Sequence, residues 1–502
     1  MNFVASHLLT TILLFPIFSA VILLFLPKNE TKLLRWTALV ASLIPFGLSI
    51  WLWVSFQSGT PGFQFQEQYT WYAAIGSSFH LGVDGLSLTM VLLTTLLTPL
   101  AILASFSITD RVKPYMMLFL FLETGMLGVF LALDLLIFFL FWEIGLVPMY
   151  FLINQWGGEN RNYASLKFLL YTMAGSLGLL LSIQLLGVLF QSYDLPLLYE
   201  RWSSVQGSLL GLPVATVKTV AFWAFAIAFA IKVPIWPFHT WLPDAHTEAP
   251  TAGSMLLAGV LLKLGAYGFL RLVIPLYPVE AHRYAGILAF LAVMSIIFGA
   301  FASYGQDDFK RLVAYSSINH MGFVMLGVAV AARAAGTLDA HIAVDGAVLQ
   351  MFNHGISAAA MFFLVGVIYE RAHTRDLNAF GGLFPIVPVY GGILIFVSMA
   401  SLGLPTLNGF VSEFLVVRGS WPIFPFLTAL GMLGLLFTGA YILKGIKKIL
   451  HGPMNEDWVG HLTDISTREI LVVTPLMILF LVIGLWPAWI LDVINKAVMV
   501  LF

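Results

Sequence analysis

Five charged residues interrupt strongly apolar stretches of this 502-residue sequence: Glu123, Glu143, Lys232, Lys263 and Glu413. An isolated charge at the centre of a membrane costs roughly 2.5–3.5 kcal/mol or more. Five of them could cost on the order of 10 kcal/mol, which is comparable to the stability of a whole domain. They must therefore be paired, hydrated or neutralised. Any single one could belong to a structural ion pair between helices, but the set as a whole favours a path for protons or ions.

Glu143 and Lys232 have the chemistry of a switchable pair. Glu143 follows the run FFLFW and Lys232 stands in FAIKVP, so both are predicted to be buried. Burial alone disfavours either charge, whereas a Glu and a Lys that meet restore each other's charge. Their separation would release a proton from the Lys or capture one on the Glu. This coupling predicts a proton site.

Histidines provide a second set of candidate proton carriers. His320 and His354 lie within apolar stretches, and imidazole titrates near neutrality, although a lone buried His can equally be just hydrogen-bonded. His239, Asp244 and His246 form a polar group at the predicted cytoplasmic end of a proline-interrupted span. Metal binding by its two histidines is not predicted, because they are seven positions apart with a proline between them and no Glu-centred His pair occurs.

The composition indicates which elements must position these side chains. Hydrophobic residues make up 60% of the chain and charged residues 10%, with a mean hydropathy of +0.94. A soluble domain carries roughly 45–50% apolar and 25% charged residues, so most of this surface cannot face water. At about 20 apolar residues per span, the chain has room for a dozen or more membrane helices. The sequence predicts an all-α polytopic membrane protein.

Several classes of function are excluded. The absence of cysteine rules out disulfides, thiolate-bound zinc and an iron–sulfur cluster held by this chain's own thiolates. A net charge of −1 provides no basic field for nucleic acid. The sequence has no glycine-rich nucleotide loop and no repeated histidine pairs for haem. We therefore expect neither a cofactor nor a metal in this chain, which carries ions rather than electrons.

Hydropathy predicts fourteen membrane-spanning helices joined by short loops, within a single transmembrane domain over residues 1–502. The first span lacks the basic flank and cleavage site of a signal peptide, so we expect it to be retained. The predicted spans are 8–27, 34–56, 83–105, 114–132, 135–154, 165–190, 216–242, 249–271, 284–304, 311–332, 341–369, 386–417, 421–444 and 470–492.

Two of these spans are predicted to be interrupted. The span 216–242 contains Pro234 and Pro237. The span 386–417 is too long for one straight helix and contains glycine, proline and asparagine at 403–409. Freed backbone groups at membrane depth are tolerated only inside protein or along a hydrated cavity. Paired interrupted helices indicate an internally repeated transporter.

The polar residues suggest the same duplication. Three pairs have similar separations: Glu143–His320 (177 residues), Lys232–Glu413 (181) and Lys263–Lys444 (181). We predict N-terminal helices 1–3 at 1–113, a first repeat of helices 4–8 at 114–271, a second repeat of helices 9–13 at 284–448, and a C-terminal helix at 470–502. Since each repeat has an odd number of spans, the second copy must be inverted in the membrane.

Basic residues set the predicted orientation. With both termini outside, fifteen of the 24 Lys and Arg residues fall in cytoplasmic loops or at cytoplasmic ends, and seven fall outside. Only Lys232 and Lys263 remain within spans. Cytoplasmic loops carry an excess of Lys and Arg in membrane proteins, so both termini are predicted on the outer side.

Six sequence motifs resemble the M-type family of antiporter-like membrane subunits of complex I, the NADH–quinone oxidoreductases. They are FWEIGLVPMYFLI (141–153), KVPIWPFHTWLPDAH (232–246), LLKLGAYG (261–268), AYSSINHMG (314–322), MFNHG (351–355) and LPTLNGFVSEF (404–414). The resemblance extends over nearly the whole chain. It implies an antiporter-like fold of fourteen helices with inverted repeats, and a role in coupling quinone reduction to proton pumping.

The same resemblance implies roles for individual residues. Glu143 and Lys232 would be the coupled pair of the first half-channel. Lys263 and His320 would lie on the central polar axis, and Glu413 would lead to the outside. Glu123 matches a further acidic position on the fourth helix. Flavin, iron–sulfur clusters and quinone would be held by partner subunits.

The expected partners and location follow from the same family. The neighbours in the membrane would be L-, N- and K-type subunits, and through them the peripheral redox arm. The expected location is the bacterial inner membrane.

Two alternatives stay open at this point. A membrane subunit of a multi-subunit cation/proton (Mrp-type) antiporter shares the fold and many motifs. Glu413 stands where some sister subunits have a Lys, and the long C-terminal extension of the L-type subunit is absent; both features favour the M type. A purely structural scaffold is disfavoured by the cost of the buried charges. The sequence does not distinguish NADH from another electron donor, one quinone from another, or protons from sodium ions.

Overall fold

The fold is a bundle of membrane-spanning helices. A computed structural model describes residues 6–209 and 211–502. The helices of the N-terminal half are α1 (Leu8–Phe25), α2 (Thr31–Ser55), α3 (Gly85–Ala104), α4 (Val112–Leu131), α5 (Leu135–Ile144), α6 (Leu146–Trp156), α7 (Arg161–Phe190), α8 (Leu195–Ser204), α9 (Val214–Lys232), α10 (Trp241–Glu248) and α11 (Thr251–Leu276). Those of the C-terminal half are α12 (Pro278–Tyr304), α13 (Phe309–Ala334), α14 (Leu338–Ala372), α15 (Pro388–Leu402), α16 (Asn408–Ser420), α17 (Pro425–Leu450), α18 (Thr467–Leu485) and α19 (Ala488–Leu501).

The described residues contain thirteen helical segments that are long and apolar enough to cross a membrane. Together with the interrupted pair α15–α16, they account for the fourteen predicted spans, and the prediction of an all-α polytopic protein is confirmed. Helix α11 is buried almost throughout, and α14 is buried over its central part. The outward sides of α2 and α7 instead expose large apolar side chains, as expected for helices that face lipid or neighbouring subunits.

Both predicted interruptions are present. Helix α9 ends at Lys232, and α10 begins only at Trp241. Other groups satisfy the freed backbone between them, since Trp236 N donates to Ser295 Oγ at 2.8 Å and the Trp241 indole donates to the Ile231 carbonyl at 2.9 Å. Helix α15 ends at Leu402 and is followed by Gly403, whose φ of +81° is readily adopted only by glycine.

The structure differs from the sequence prediction at the C-terminus. The predicted single helix at 470–502 is wrong, because α18 ends at Leu485 and α19 begins at Ala488. Trp486 precedes Pro487, and the residue before a proline is sterically kept out of the helical region. Helix α19 is a separate segment that packs against α3 and α14.

The segment 57–82, which connects α2 and α3, contains a β-hairpin. It forms an antiparallel hairpin of β1 (Gln64–Tyr72) and β2 (Ser77–Val83), in register through Gln68 opposite His80. The carboxylate of Glu67 on β1 accepts hydrogen bonds from Leu9 N at 2.7 Å and Thr10 Oγ1 at 2.5 Å. The hairpin thereby satisfies free donors in the first turn of α1. A second, very short hairpin pairs β3 (Ser208–Leu209) with β4 (Leu212–Pro213).

Candidate functional site

Four predicted residues form a buried line that runs from the last span of the first predicted repeat into the second repeat. Lys263 Nζ lies 2.8 Å from His354 Nδ1, and the rings of His354 and His320 are 5.6 Å apart between centroids. His320 Nδ1 lies 2.8 Å from Glu413 Oε1. All four residues are at most 5% exposed. The line therefore joins α11, α14, α13 and α16 through side chains that can each gain or lose a proton.

Small residues allow the helices that carry this line to approach. A Cβ on Gly355 of α14 would lie 2.8 Å from the carbonyl oxygen of Gly259 on α11. Lys263 is one helical turn from Gly259, and His354 is adjacent to Gly355. The close contact thus brings the amine and the imidazole together. Helix α11 is π-helical at Leu257–Leu261, and Lys263 Nζ donates to the Ala258 carbonyl within that region.

Four further polar residues around Glu413 and His320 were not identified from the sequence. Gln350 Nε2 donates to Glu413 Oε1 at 3.0 Å, and Ser412 Oγ donates to Gln350 Oε1 at 2.5 Å. Tyr441 OH lies 3.3 Å from His320 Nε2. Asn353 Nδ2 donates to the Asn408 carbonyl at 2.7 Å, beside the interruption. Neutral polar residues in apolar spans were the only available signal for this group.

Glu143 and Lys232 are near each other but are not joined by an ion pair. Lys232 is 1% exposed, and its ammonium lies 5.2 Å from the centre of the Trp142 ring and 5.7 Å from that of Phe168. Glu143 acts on it electrostatically, yet no nitrogen–oxygen distance between them is 4.0 Å or less. Glu143 Oε1 is buried and has no hydrogen-bond partner in the part of the chain that is described. The structure therefore holds the two charges apart.

Glu123 is isolated from the central line. Its side chain is fully buried on α4, and neither carboxylate oxygen has a hydrogen-bond partner among the described residues. The nearby Gly125 lies against the junction of α5 and α6, since a Cβ there would be 2.6 Å from Gly145 N. Glu123 is thus on the helix that packs beside Glu143.

His239, Asp244 and His246, which the sequence predicts as one polar group at the cytoplasmic end, have different surroundings. Asp244 pairs with Lys167 at 2.7 Å and with Arg311 at 3.4 Å. The His239 ring lies 6.5 Å from that of Tyr315 between centroids. His246 is fully buried and stacks on Phe362 at 4.3 Å between ring centroids.

The charges of two buried lysines, Lys310 and Lys263, both act on His246. Burial lowers its pKa well below the usual range, with further contributions from Lys310 and Lys263. Neither ring nitrogen has a hydrogen-bond partner among the residues described. Within those residues, no group of three His, Asp or Glu side chains is arranged to hold a metal ion.

Two basic residues that the sequence assigns to helix ends are buried inside the protein. Arg271 is 1% exposed and donates to both carboxylate oxygens of Asp84 at 2.6 Å. Lys310 is 6% exposed, and its ammonium donates to the Ala249 carbonyl. Their positions near helix ends concealed this burial.

Lys310 borders a cavity of about 240 Å³ at the end of the bundle that is predicted to face the cytoplasm. Polar residues from several elements line it, including Glu248, Glu370 and Arg375. A polar cavity of this size can hold several water molecules. The arrangement can therefore supply water to a buried amine near His246.

The comparisons with known proteins agree with this architecture. Residues 132–438 match the family described as NADH:quinone oxidoreductase/Mrp antiporter, TM. The NADH-quinone oxidoreductase subunit M of Rhodobacter capsulatus is 39% identical over 98% of this chain and 96% of its own length. The Escherichia coli K12 subunit M is 38% identical over 93% of this chain and 92% of its own length.

Solved structures show the same fold. A chain in respiratory complex I from Thermus thermophilus with bound NADH gives a TM-score of 0.85 at 28% identity, covering 98% of this chain and 99% of that one. A chain of the Mrp complex from Dietzia sp. DQ12-45-1b gives 0.81 at 24% identity, covering 98% of this chain and 52% of that one, which shows the fold alone. The predicted antiporter-like fold is confirmed, and the chain belongs to the subunit M family of the NADH-quinone oxidoreductases.

Proposed function

We propose that this chain is a proton-translocating membrane subunit of an NADH–quinone oxidoreductase, which couples quinone reduction elsewhere in the complex to proton movement. The observation that carries the proposal is the buried line Lys263–His354–His320–Glu413. The pairs Lys263–His354 and His320–Glu413 are each at a hydrogen-bond distance of 2.8 Å, and the centroids of the two imidazole rings are 5.6 Å apart. Groups within hydrogen-bond reach can exchange a proton directly, and a single water can bridge the imidazoles.

Glu143 and Lys232 would act as the switch in the first half of the route. The two charges interact without an ion pair, so a small side-chain movement changes their separation and their mutual stabilisation. When they move together both stay charged, and when they move apart Lys232 can release its proton. Glu123, which has no hydrogen-bond partner among the described residues, is the additional buried acid of this half.

Uptake from the cytoplasmic side would use the cavity beside Lys310. Water in this cavity can reach the Lys310 ammonium, and the charges of Lys310 and Lys263 both act on His246. His246 is buried and has no hydrogen-bond partner among the described residues. One of its ring nitrogens can therefore accept a hydrogen bond from water or from the amine of a lysine side chain that moves towards it. Glu413 would then deliver the proton towards the outer side.

The redox chemistry would take place in partner subunits. This chain has no cysteine to ligate an iron–sulfur cluster. It would therefore serve as a non-redox subunit, with flavin, iron–sulfur clusters and quinone held by the rest of the complex. The proposed neighbours are L-, N- and K-type membrane subunits, and the proposed location is the bacterial inner membrane with both termini on the outer side.

The decisive test compares two lysines that the sequence pairs as repeat equivalents. Lys263 is fully buried on the central line, whereas Lys444 donates to the Tyr304 and Gln306 carbonyls near the end of α17. In the assembled complex reconstituted in vesicles, Lys263→Ala should lose most of the protons moved per NADH oxidised. Lys444→Ala is the matched control and should keep the wild-type yield. A wild-type proton yield in assembled Lys263→Ala would contradict the proposal.

A membrane subunit of a cation/proton antiporter is the second candidate, because the matching family includes Mrp antiporters. Co-purification distinguishes the two. An NADH–quinone oxidoreductase subunit should bring soluble flavin and iron–sulfur subunits with it, whereas an antiporter subunit should bring only membrane partners.

A further inference from the structure

A buried carboxyl group lies outside the line described above. Asp345 is on α14, nine residues before His354, and is 7% exposed. Its Oδ2 accepts a 2.6 Å hydrogen bond from Asn495 on α19. Its Oδ1 is buried and lacks a hydrogen-bond partner in the described part of the chain. Because a buried carboxylate with an unsatisfied oxygen is costly, this group is suited to hold a proton or to bind water.

A second titratable group, His341, lies between Asp345 and the N-terminal end of α14. His341 is one helical turn earlier, and residues four apart lie on the same face of a helix. It is partly buried, and its Nε2 is buried with no hydrogen-bond partner among the residues described. The two groups thus lead from the buried part of α14 towards the end that the basic residues predict to face outside.

Asp345 is also the first titratable residue of α14 on the outer side of Gln350, which contacts Glu413. Gln350 donates to Glu413 Oε1, and only Gly, Ala, Val and Leu stand between Gln350 and Asp345. Five residues correspond to a rise of about 7.5 Å and a rotation of about 140° along a helix, so transfer from Glu413 to Asp345 requires bridging water. The helices touch at this level, because a Cβ on Gly346 would lie 2.6 Å from Val416 N on α16.

We infer that Asp345 and His341 form the proton-release site of this subunit, on the outer side of Glu413. Neutral Glu413 gives its proton through water to the Asp345 carboxylate, which leaves Glu413 ionised and Asp345 neutral. Asp345 passes the proton to the His341 imidazole, and the imidazolium releases it to water outside. The inference rests on the proposed function, because it extends the same route beyond Glu413.

A purely structural role for Asp345 predicts a different result. Helix α19 packs closely on α3, since a Cβ on Gly85 would lie 2.0 Å from the Val493 carbonyl. Asp345 could serve only to fasten α19 to α14 through Asn495. In that case, loss of the Asn495 hydrogen bond should be as harmful as loss of the Asp345 charge.

The test measures assembly and protons moved per NADH oxidised for the whole complex in vesicles. Asp345→Asn keeps a hydrogen-bond acceptor for Asn495 but cannot ionise, whereas Asn495→Ala removes the bond and keeps the carboxylate. Glu413→Gln provides the benchmark for a blocked route. We expect Asp345→Asn to lower the proton yield to that of Glu413→Gln, Asn495→Ala to keep the wild-type yield, and Asp345→Glu to restore most of it.

The outcomes separate the two proposals. A wild-type yield in Asp345→Asn, with a low yield in Glu413→Gln, would overturn the release site and leave the proposed function intact. Equal losses in Asp345→Asn and Asn495→Ala would assign Asp345 a fastening role and also overturn it. Failure of both Asp345→Asn and Asp345→Ser to assemble would have the same consequence. A wild-type yield in Glu413→Gln would instead count against the proposed function itself.

Discussion

The Glu143–Lys232 pair provides the sharpest test of the switching mechanism. Lys232 is 1% exposed and is surrounded by aromatic rings, and Glu143 is the carboxylate that acts on it electrostatically. We expect Glu143→Gln and Lys232→Ala each to abolish most coupled activity without loss of assembly. The double variant should lose little more than either single variant, because both changes disable the same step.

The magnitude follows from the separation of the two charges. With no nitrogen–oxygen distance of 4.0 Å or less, an effective dielectric constant of about 20 limits their attraction to about 4 kcal/mol. At about 1.4 kcal/mol per factor of ten, this corresponds to up to about a thousandfold change in the protonation equilibrium of Lys232. Such a change is enough to switch the amine between its two protonation states. Burial of the unpaired ammonium alone costs roughly 2.5–3.5 kcal/mol.

The assay is proton uptake into vesicles that contain the assembled complex, driven by NADH, for both single variants and the double variant. A structural ion pair would behave differently: either single change would impair assembly, and the double change would partly restore it. Wild-type pumping by assembled Glu143→Gln would refute the switching role. Restored assembly and pumping in the double variant would refute it as well.

Three further predictions concern the exit, the topology and the stability. Glu413→Gln keeps the hydrogen bonds to His320 and Gln350 but cannot ionise. Quinone reduction coupled to pumping should therefore fall, while electron transfer from the donor to artificial acceptors persists. Normal coupled activity would contradict this prediction. A reporter fused after Phe502 should behave as external, and a cytoplasmic signal would reverse the predicted orientation. Asp84→Asn leaves the buried Arg271 without its carboxylate and should destabilise the protein by about 3–5 kcal/mol. The measurement is the thermal unfolding midpoint, which should fall. An unchanged midpoint would show that the ion pair does not contribute to stability.

The fold was largely predictable because its main signals are local. Apolar stretches of about 20 residues identify membrane helices one at a time. Pro234 and Gly403 mark the two interruptions, because each changes the backbone at its own position. The exceptions have non-local causes. The β1–β2 hairpin carries mostly polar residues, and its Glu67 satisfies a helix 57 residues away.

The candidate site was predictable as a set of residues but not as an arrangement. A charge or imidazole in an apolar span is recognisable from its neighbours in the sequence, and this identified Lys263, His320, His354 and Glu413. The sequence does not reveal that Lys310 and Arg271 are buried, because both stand near helix ends where side chains can usually reach water. Asp345 and Gln350 were likewise not identified.

The sequence by itself determined that this protein lies in a membrane, where its helices are broken and which titratable side chains stand in its apolar stretches. These properties follow from composition and from backbone preferences at single positions. Only the tertiary structure decided which side chains meet. His320 and Glu413 are 93 residues apart and Lys263 and His354 are 91 apart, yet both pairs lie within 2.8 Å. The same packing holds Glu143 and Lys232 apart, because contacts between helices depend on their rotation and on small residues such as Gly259 and Gly355.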